Sequence, residues 1–350
     1  MAYKTLILGA SYGSLLGTKL LMAGHDVTLV CRSGTAALIN QKGTEVRMPM
    51  RGEEGPRVLR STDMPGRLDA KTPEEAQPGE YDLVCLAMQE PQYGHAGVLS
   101  LLERVAKARV ACMSIMNMPP PPYLARISGL DVTALKPAYT APDIWDGFDP
   151  ALVTLCSPDP QAFRPEGEGA NVLQVGLPTN FKVALFDDAK RDEMLGTMAR
   201  DIDALRLDGQ DVPVKLRTHA SIFVPLAKWS MLAAGNYRCV TETGAIAIRD
   251  AVTGDRDRAS EVYGFVNEVV TRLGGDEGDM VPFEKYAAAA ENLKKPSSAA
   301  RAIESGSTSI ERVDKLIQLV ARTMDMRHPV LDATVETVDG RLARAGSDAA

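Results

Sequence analysis

The chain has few of the residues from which disulfide frameworks and metal centres are built. Its 350 residues include only five cysteines and four histidines. The cysteines (Cys31, Cys85, Cys112, Cys156 and Cys239) are far apart, odd in number and form no C-x-x-C pair. This predicts reduced, buried thiols and not a disulfide frame. No two histidines have the H-x-x-x-H spacing, so we expect no metal site.

Long apolar runs and an excess of positive charge are also lacking. No run approaches the ~18 apolar residues of a membrane-spanning helix, and no charged stretch followed by an apolar one opens the chain. We therefore expect a cytoplasmic protein without a membrane partner. Lys and Arg number 39 against 46 Asp and Glu, a net charge of −7, which argues against a nucleic-acid partner. A length of 350 residues predicts two domains.

The N-terminal pattern is strand, glycine turn, helix and strand. An apolar run at residues 5–8 leads into Gly9, Gly13 and Gly17, helical apolar spacing continues to residue 22, and residues 26–31 form a second strand-like run. The N terminus of a helix behind such a turn exposes N–H groups that bind a pyrophosphate. This order predicts a dinucleotide site, although the glycine spacing departs from the usual G-x-G-x-x-G.

The end of the second strand indicates which dinucleotide binds. NAD-binding chains carry an acidic residue there, which holds the ribose 2′-hydroxyl. This chain has Arg32 followed by Ser33. A guanidinium beside a hydroxyl suits a 2′-phosphate, so the pair favours NADPH over NADH. The alternative is that Arg32 only extends into solvent from the strand end.

The rest of the chain reads as alternating elements followed by helices. Further strands are predicted at residues 45–48, 81–87 and 110–115, with weaker ones at 152–156 and 172–175. From about residue 189 the apolar residues repeat at helical spacing. We therefore predict an α/β fold with a Rossmann-like, doubly wound parallel sheet over residues 1–190 and an all-α domain over residues 191–350. The second domain would bind substrate and support a homodimer.

Several of these segments resemble the ketopantoate reductase family in order and spacing. They are residues 24–32, Gly43-x-x-Val46, residues 81–87, Asn117 after a strand, Lys228 with Asn236 eight residues later, Ser297-Ser298, and Glu311-x-x-Asp314. The resemblance implies a Rossmann domain followed by a helical domain. It also implies NADPH-dependent reduction of a small ketone or 2-oxo acid to an alcohol, as in the 2-dehydropantoate 2-reductase reaction, or the reverse oxidation of the alcohol, in the cleft between them.

The resemblance also implies functions for individual residues. Lys228 would be the general acid, Glu311 would orient the substrate or the lysine, and Asn117 would lie between the cofactor and the reacting centre. Asn236 and Ser298 would bind substrate oxygens, whereas Leu232 replaces a family asparagine and predicts a less polar substrate wall. The residues expected to contact the cofactor are Gly9, Ser11, Tyr12, Gly13, Arg32, Ser33, Ala87, Gln89 and Asn117.

Each of these polar residues also has a purely structural interpretation. The alternatives are a solvated lysine for Lys228, an Asx turn at Asn117, a helix N-cap formed by Ser297-Ser298, and for Glu311 either a capping box with Thr308 or a surface pair with Lys315. Two other functions also stay open. One is an opine-type dehydrogenase, which joins an amino acid to a 2-oxo acid, and the other is a dinucleotide-binding sensor without turnover.

Overall fold

The computed structural model describes residues 2–348, with the side chains of residues 2–347. The chain divides into two compact units. Unit 1 contains the residues up to Met88, Gln92–Met116 and Asp143–Ala220. Unit 2 contains Gln89–Pro91, Asn117–Pro142 and the residues from Ser221 onward. Both units are therefore assembled from separated stretches of the chain.

All the described strands lie in unit 1. In chain order they are β1 (Lys4–Leu8), β2 (Asp26–Val30), β3 (Glu45–Pro49), β4 (Pro56–Arg60), β5 (Leu68–Lys71), β6 (Leu83–Leu86), β7 (Ala111–Ser114), β8 (Val153–Ser157), β9 (Gln161–Phe163), β10 (Val172–Leu177), β11 (Phe181–Ala184), β12 (Arg206–Leu207), β13 (Gln210–Asp211) and β14 (Leu216–His219).

The α-helices are shared between the units, with α1–α3 and α5 in unit 1 and the others in unit 2. They are α1 (Gly13–Met22), α2 (Ser33–Lys42), α3 (Ala96–Ala108), α4 (Pro121–Leu124), α5 (Ala189–Asp203), α6 (Lys228–Met231), α7 (Ile248–Thr253), α8 (Arg256–Arg272), α9 (Phe283–Ala290), α10 (Ser298–Glu304), α11 (Val313–Thr323) and α12 (Pro329–Asp348).

The main sheet of unit 1 has the Rossmann strand order. Its eight strands run β14-β11-β8-β7-β6-β1-β2-β5, and the six from β5 to β8 are parallel. Strands β6 and β7 are buried along their whole length, as in a sheet covered on both faces. The predicted Rossmann-like, doubly wound sheet is thereby confirmed, with the glycine turn between β1 and α1 at the carboxyl edge of the sheet.

Unit 1 extends beyond the boundary expected at residue 190. Helix α5 buries Met194, Leu195, Met198 and Ile202 in the core that supports the sheet. Strand β14 then pairs in parallel with β11. Residues 206–219 are therefore strands and turns and not part of an all-α domain, because α5 is a crossover helix whose apolar face packs on this sheet.

A second sheet in unit 1 was only partly predicted. It runs β4-β3-β10-β9, and β10 pairs in parallel with β3. Its β3 and β10 were expected at residues 45–48 and 172–175, whereas β4 and β9 were not. Their burial explains this, since only Leu59 is buried in β4 and no residue is buried in β9. Such exposed edge strands lack the apolar signal on which sequence patterns depend.

Unit 2 is built around the helices that follow residue 220. Helix α8 buries Val262, Tyr263 and Val266, and α11 buries residues on nearly every turn. The stretch 117–142 also belongs here, and its 3-10 segment Val132–Ala138 packs against α11. The part of the chain that follows Asn117 is thus divided between the units, with residues 117–142 in the helical unit and residues 143–220 in unit 1.

Candidate functional site

The glycine turn of unit 1 is shaped so that side chains cannot occupy it. Gly9 has φ +105°, and a Cβ there would lie 2.8 Å from the Ala87 carbonyl oxygen and 2.7 Å from Met88 Cγ. A Cβ on Gly13 would lie 2.6 Å from Ile7 Cγ2. Helix α1 begins at Gly13, and no side chain of the described protein caps its N terminus. These features fit a pyrophosphate bound against the backbone.

The Tyr12 side chain, which was expected to contact the cofactor, packs inside unit 1 instead. Its hydroxyl donates to the Pro160 carbonyl oxygen at 2.7 Å, and its ring packs edge-on against Phe181. Burial raises the pKa of this phenol well above its usual range. The side chain therefore joins the segment before β9 to the glycine turn, and only the Tyr12 backbone is left to contact a ligand.

Two arginines without acidic partners lie around the end of β2. Arg32 immediately precedes α2 and is exposed, as is Ser33. Arg164 is exposed directly after β9, and its cation acts on the Cys31 thiol, although burial is the larger effect and raises the thiol pKa to about 11. Neither arginine has an ion pair within residues 2–347. Sequence reasoning missed Arg164 because β9 has no readable pattern.

Other expected cofactor residues lie at the ends of strands. Ala87 directly follows β6, and its N–H donates to Leu8 O at 2.9 Å while its carbonyl borders Gly9. Ser11 is exposed in the glycine turn. Gln89 is exposed as well, but it belongs to unit 2, unlike the rest of the predicted cofactor residues except Asn117.

In unit 2, Glu311 is the centre of a cluster drawn from separate segments. Its Oε1 accepts a hydrogen bond from the Glu90 N–H at 3.3 Å. The Asn117 side chain hydrogen-bonds the same carboxyl, and Lys228 acts on it electrostatically. The structure thus brings together Asn117, Lys228 and Glu311, the three residues predicted to be catalytic, and adds Glu90 to them.

The Glu311 carboxyl is held in an environment that disfavours its charge. Burial is the largest effect and, with the charge of Glu90, raises the pKa of Glu311 to about 7. The hydrogen bonds from Glu90 and Asn117 and the charge of Lys228 act in the opposite direction. The carboxyl is therefore poised to exchange a proton near neutral pH, as expected of an acid–base site.

The structure contradicts both structural interpretations of Glu311, the capping box and the surface ion pair. A capping box with Thr308 requires a helix that starts between the two residues, but α11 starts at Val313 with Arg312 at its N-cap. Lys315 pairs with Asp339, at 3.3 Å, and not with Glu311. The Glu311 carbonyl instead accepts a hydrogen bond from the Tyr237 hydroxyl at 2.5 Å, which ties its backbone to the helical core.

Lys228 lies where the helix changes its geometry. It begins the short helix α6, is half-buried, and is followed by a π-helical turn at Leu232–Asn236. Gly235 allows this turn, because a Cβ there would collide with the Tyr286 hydroxyl. Such π turns are rare and are frequent at functional sites. Lys228 is therefore not a freely solvated surface lysine.

The three residues predicted to line the substrate site differ in their exposure and in their hydrogen bonds. Asn236 is half-buried at the end of the π turn, and its carbonyl accepts a hydrogen bond from Ser297 Oγ at 2.6 Å. Ser297, not Ser298, is the N-cap of α10, while Ser298 is exposed. The N-cap interpretation of the Ser297-Ser298 pair is therefore confirmed at Ser297, whose Oγ accepts a hydrogen bond from the Ala300 N–H. Leu232 is only 4 % exposed and presents no polar group.

Asn117 carries an unfulfilled hydrogen-bonding group. Within the described chain, its Oδ1 is buried without a partner. Buried amide oxygens are nearly always satisfied, so an orphaned one indicates a missing donor. A carboxamide or hydroxyl group of a ligand would satisfy it. The Asx-turn alternative fails to account for this atom.

Neither a metal-ligand cluster nor a membrane-spanning helix is present in the described part of the chain. Among the described residues, no three His, Cys, Asp or Glu side chains are grouped as metal ligands. No helix in that part of the chain combines the length and apolar character needed to cross a bilayer.

The fold defines a class of protein, a Rossmann-type unit combined with a helical unit that carries the lysine and carboxyl groups. Solved structures share it along their whole length. A candidate ketopantoate reductase from Ralstonia solanacearum MolK2 is 16 % identical with TM-score 0.71, covering 99 % of both chains. D-Mandelate dehydrogenase with NADH and anilino(oxo)acetate is 13 % identical with TM-score 0.64, covering 98 % of this chain and 99 % of the other.

A third similar structure is a dimeric ketopantoate reductase from Staphylococcus aureus. It is 11 % identical with TM-score 0.64, and 98 % of this chain and 100 % of that chain are covered. No family model and no curated protein matches the sequence. The chain thus has the fold of the ketopantoate reductases.

Proposed function

We propose that the protein is a nicotinamide-dinucleotide-dependent reductase that converts a 2-oxo acid or a related ketone into an alcohol. The observation that carries this proposal is the cluster of Asn117, Lys228 and Glu311 in unit 2. The family resemblance points to the same three residues, which are separated by up to 194 positions in sequence and are brought together by folding. The glycine turn of unit 1 supplies the accompanying dinucleotide site.

The chemistry assigns a task to each group. A reduced nicotinamide dinucleotide, held at the glycine turn of unit 1, would supply hydride to the substrate carbonyl carbon, and the carbonyl oxygen would gain negative charge. Lys228 stabilises that charge and donates a proton to the oxygen. Asn117 offers its orphaned Oδ1 to a donor on the ligand. When Glu311 is protonated, its carboxyl no longer stabilises the ammonium form of Lys228 by charge, so Lys228 is a stronger acid.

The substrate proposal follows from the residues near Lys228. Leu232 stands where the resembling family has an asparagine, and both Leu232 and Trp229 are buried. A wall without this amide favours a less polar or larger group on the substrate. We therefore propose a branched or aromatic 2-oxo acid. The substrates tested in the turnover assay should therefore include branched and aromatic 2-oxo acids, each with and without an added amino acid.

The decisive test is NADPH oxidation by the parent and by Lys228→Ala, with Lys294→Ala as a matched control because Lys294 is exposed. We expect kcat on the best substrate to fall by about 10²–10⁴ in Lys228→Ala and to stay unchanged in the control. Full turnover in Lys228→Ala would refute the assignment. A strict amino-acid requirement would indicate an opine-type enzyme, and tight binding without any turnover would indicate a sensor.

We propose NADPH as the preferred cofactor, recognised at its 2′-phosphate by Arg32 and Arg164. Calorimetry tests this without turnover. Arg32→Ala and Arg164→Ala should each weaken NADPH binding by roughly tenfold while NADH binding is unchanged. Arg51→Ala is the control, since Arg51 is exposed and has no ion pair within residues 2–347. Equal losses for NADPH and NADH would refute a 2′-phosphate site.

We further propose that the protein is a homodimer. The support is the dimeric state of its fold neighbour from Staphylococcus aureus. Sedimentation velocity over a range of protein concentrations measures this directly. A single species with the mass of one chain would refute it.

A further inference from the structure

Glu90 is a buried carboxyl group that has no cationic partner among the described residues. It belongs to the three residues of the loop after β6 that are part of unit 2, and it is 1 % exposed. Its carboxylate accepts hydrogen bonds from the Thr140 N–H and the Thr140 hydroxyl, both at 2.9 Å, and from the Ala141 N–H. All three donors are neutral. Burying a charge without a cationic partner costs free energy, so the presence of Glu90 at this position requires an explanation beyond packing.

The backbone of the same residue holds Glu311. The Glu90 N–H donates to Glu311 Oε1 at 3.3 Å across 221 positions of sequence. Glu90 thus hydrogen-bonds Glu311 through its main chain and the Thr140–Ala141 segment through its side chain. One residue therefore connects two segments that are remote from each other in sequence.

A second connection closes these contacts into a ring. Tyr139, next to Thr140, donates from its hydroxyl to the Pro119 carbonyl oxygen at 2.6 Å and is 6 % exposed. Pro119 lies two residues after Asn117, and the Asn117 side chain hydrogen-bonds Glu311. The ring passes from Glu311 through Glu90, the 139–141 segment and the 117–119 segment back to Glu311. Such a closed set restricts the position of each member.

The charges around Glu311 decide where a shared proton resides. The ionisable groups that face it are Glu90, Lys228 from α6 and the Tyr237 phenol, while Arg312 beside it pairs with Asp314 at 2.9 Å. Glu90 has three hydrogen-bond donors for its charge. Glu311 has two, and the negative charge of Glu90 is close by. The proton of this carboxyl pair therefore belongs on Glu311.

We propose that Glu90 is a positioning residue for the reaction, which holds the Glu311 carboxyl in place against Asn117 and keeps it protonated. This inference rests on the proposed function. Glu90 acts through Glu311 and does not itself touch the reacting atoms. Residues 117–142 contribute the two partner segments of the ring, at positions 117–119 and 139–141.

The first test follows the proton directly and needs no turnover. The protein is labelled with δ-¹³C glutamate, and the Glu311 resonance is identified by its loss in Glu311→Gln. In Glu90→Gln, which keeps the shape but removes the charge, the titration midpoint of Glu311 should fall by roughly one pH unit. Glu291→Gln, at an exposed glutamate, should leave it unchanged. An unchanged midpoint in Glu90→Gln would overturn the proposal.

The second test uses a variant that keeps every ionisable group. Thr140→Val removes one donor to Glu90 and loosens the ring, and Thr140→Ser restores that donor. We expect about tenfold lower kcat in Thr140→Val, little change in KM for the cofactor, and recovery in Thr140→Ser. Parent kcat in Thr140→Val would count against the proposal. If no 2-oxo acid is reduced at all, the proposed function fails while the titration result still decides on Glu90.

Discussion

The raised pKa of Glu311 predicts that stability depends on pH through this one residue. In the unfolded chain a glutamate has its ordinary pKa of 4.5, and in the folded protein burial raises that of Glu311 to about 7. The native state therefore binds this proton more tightly. Its stabilising contribution is complete below pH 4.5 and is lost as the pH rises through 7. Over that interval the loss amounts to about 3 kcal/mol.

Glu311→Gln removes the titration while keeping the shape of the side chain. The free energy of unfolding of the parent, minus that of the variant, should accordingly fall by about 3 kcal/mol between pH 4 and 8.5. The protein has two tryptophans, of which Trp229 lies in unit 2. In a Trp145→Phe background, urea unfolding followed by Trp229 fluorescence therefore reports on the unit that contains Glu311.

The result that would refute this reasoning is a difference between parent and variant that stays constant over the whole pH range. Glu291→Gln serves as the control for the loss of a glutamate, because Glu291 is exposed. A difference with the opposite sign, increasing with pH, would mean that the folded state favours the charged carboxyl. Lys228 would then dominate over burial.

Three further substitutions test the local geometry. Gly9→Ala should cost about 2–4 kcal/mol and abolish NADPH binding, because the Cβ meets the Ala87 carbonyl at a positive φ; thermal unfolding and calorimetry measure the two effects, and parent-like binding would contradict this. Gly235→Ala should likewise distort the π turn against Tyr286, seen as a loss of kcat with NADPH affinity intact. Ser297→Ala removes a helix cap and should lower the free energy of unfolding by about 1–2 kcal/mol in urea titrations.

The Rossmann unit could be predicted because its signals are local. The strands β1, β2, β6 and β7 are short apolar runs bounded by turns, and burial on both faces of a parallel sheet requires such runs. The strands that escaped prediction are those with exposed or short apolar patterns, such as β9. Local periodicity reports how much of a segment is buried, and these segments are hardly buried at all.

Three residues of the candidate site were predicted from the sequence and Glu90 was not, again because sequence signals are local. Asn117, Lys228 and Glu311 were named from a resemblance in order and spacing, and the structure brings all three together. Glu90 carried a weak signal, since it lies just beyond the carboxyl end of β6, where ligands approach open sheets. Nothing in its neighbours indicated that it pairs with Glu311, because that contact depends on chain closure over 221 positions.

The sequence by itself therefore determined the parallel sheet, the glycine turn and the helical character of the chain after residue 220. Each of these depends on side-chain size and polarity repeating over a few residues. Only the tertiary structure decided that residues 89–91 and 117–142 belong to the helical unit. It also decided that the Glu311 carboxyl lies against Glu90, which is 221 positions away in sequence. The pKa of Glu311 follows from that burial and from neighbours distant in sequence, so it exists only in the folded chain.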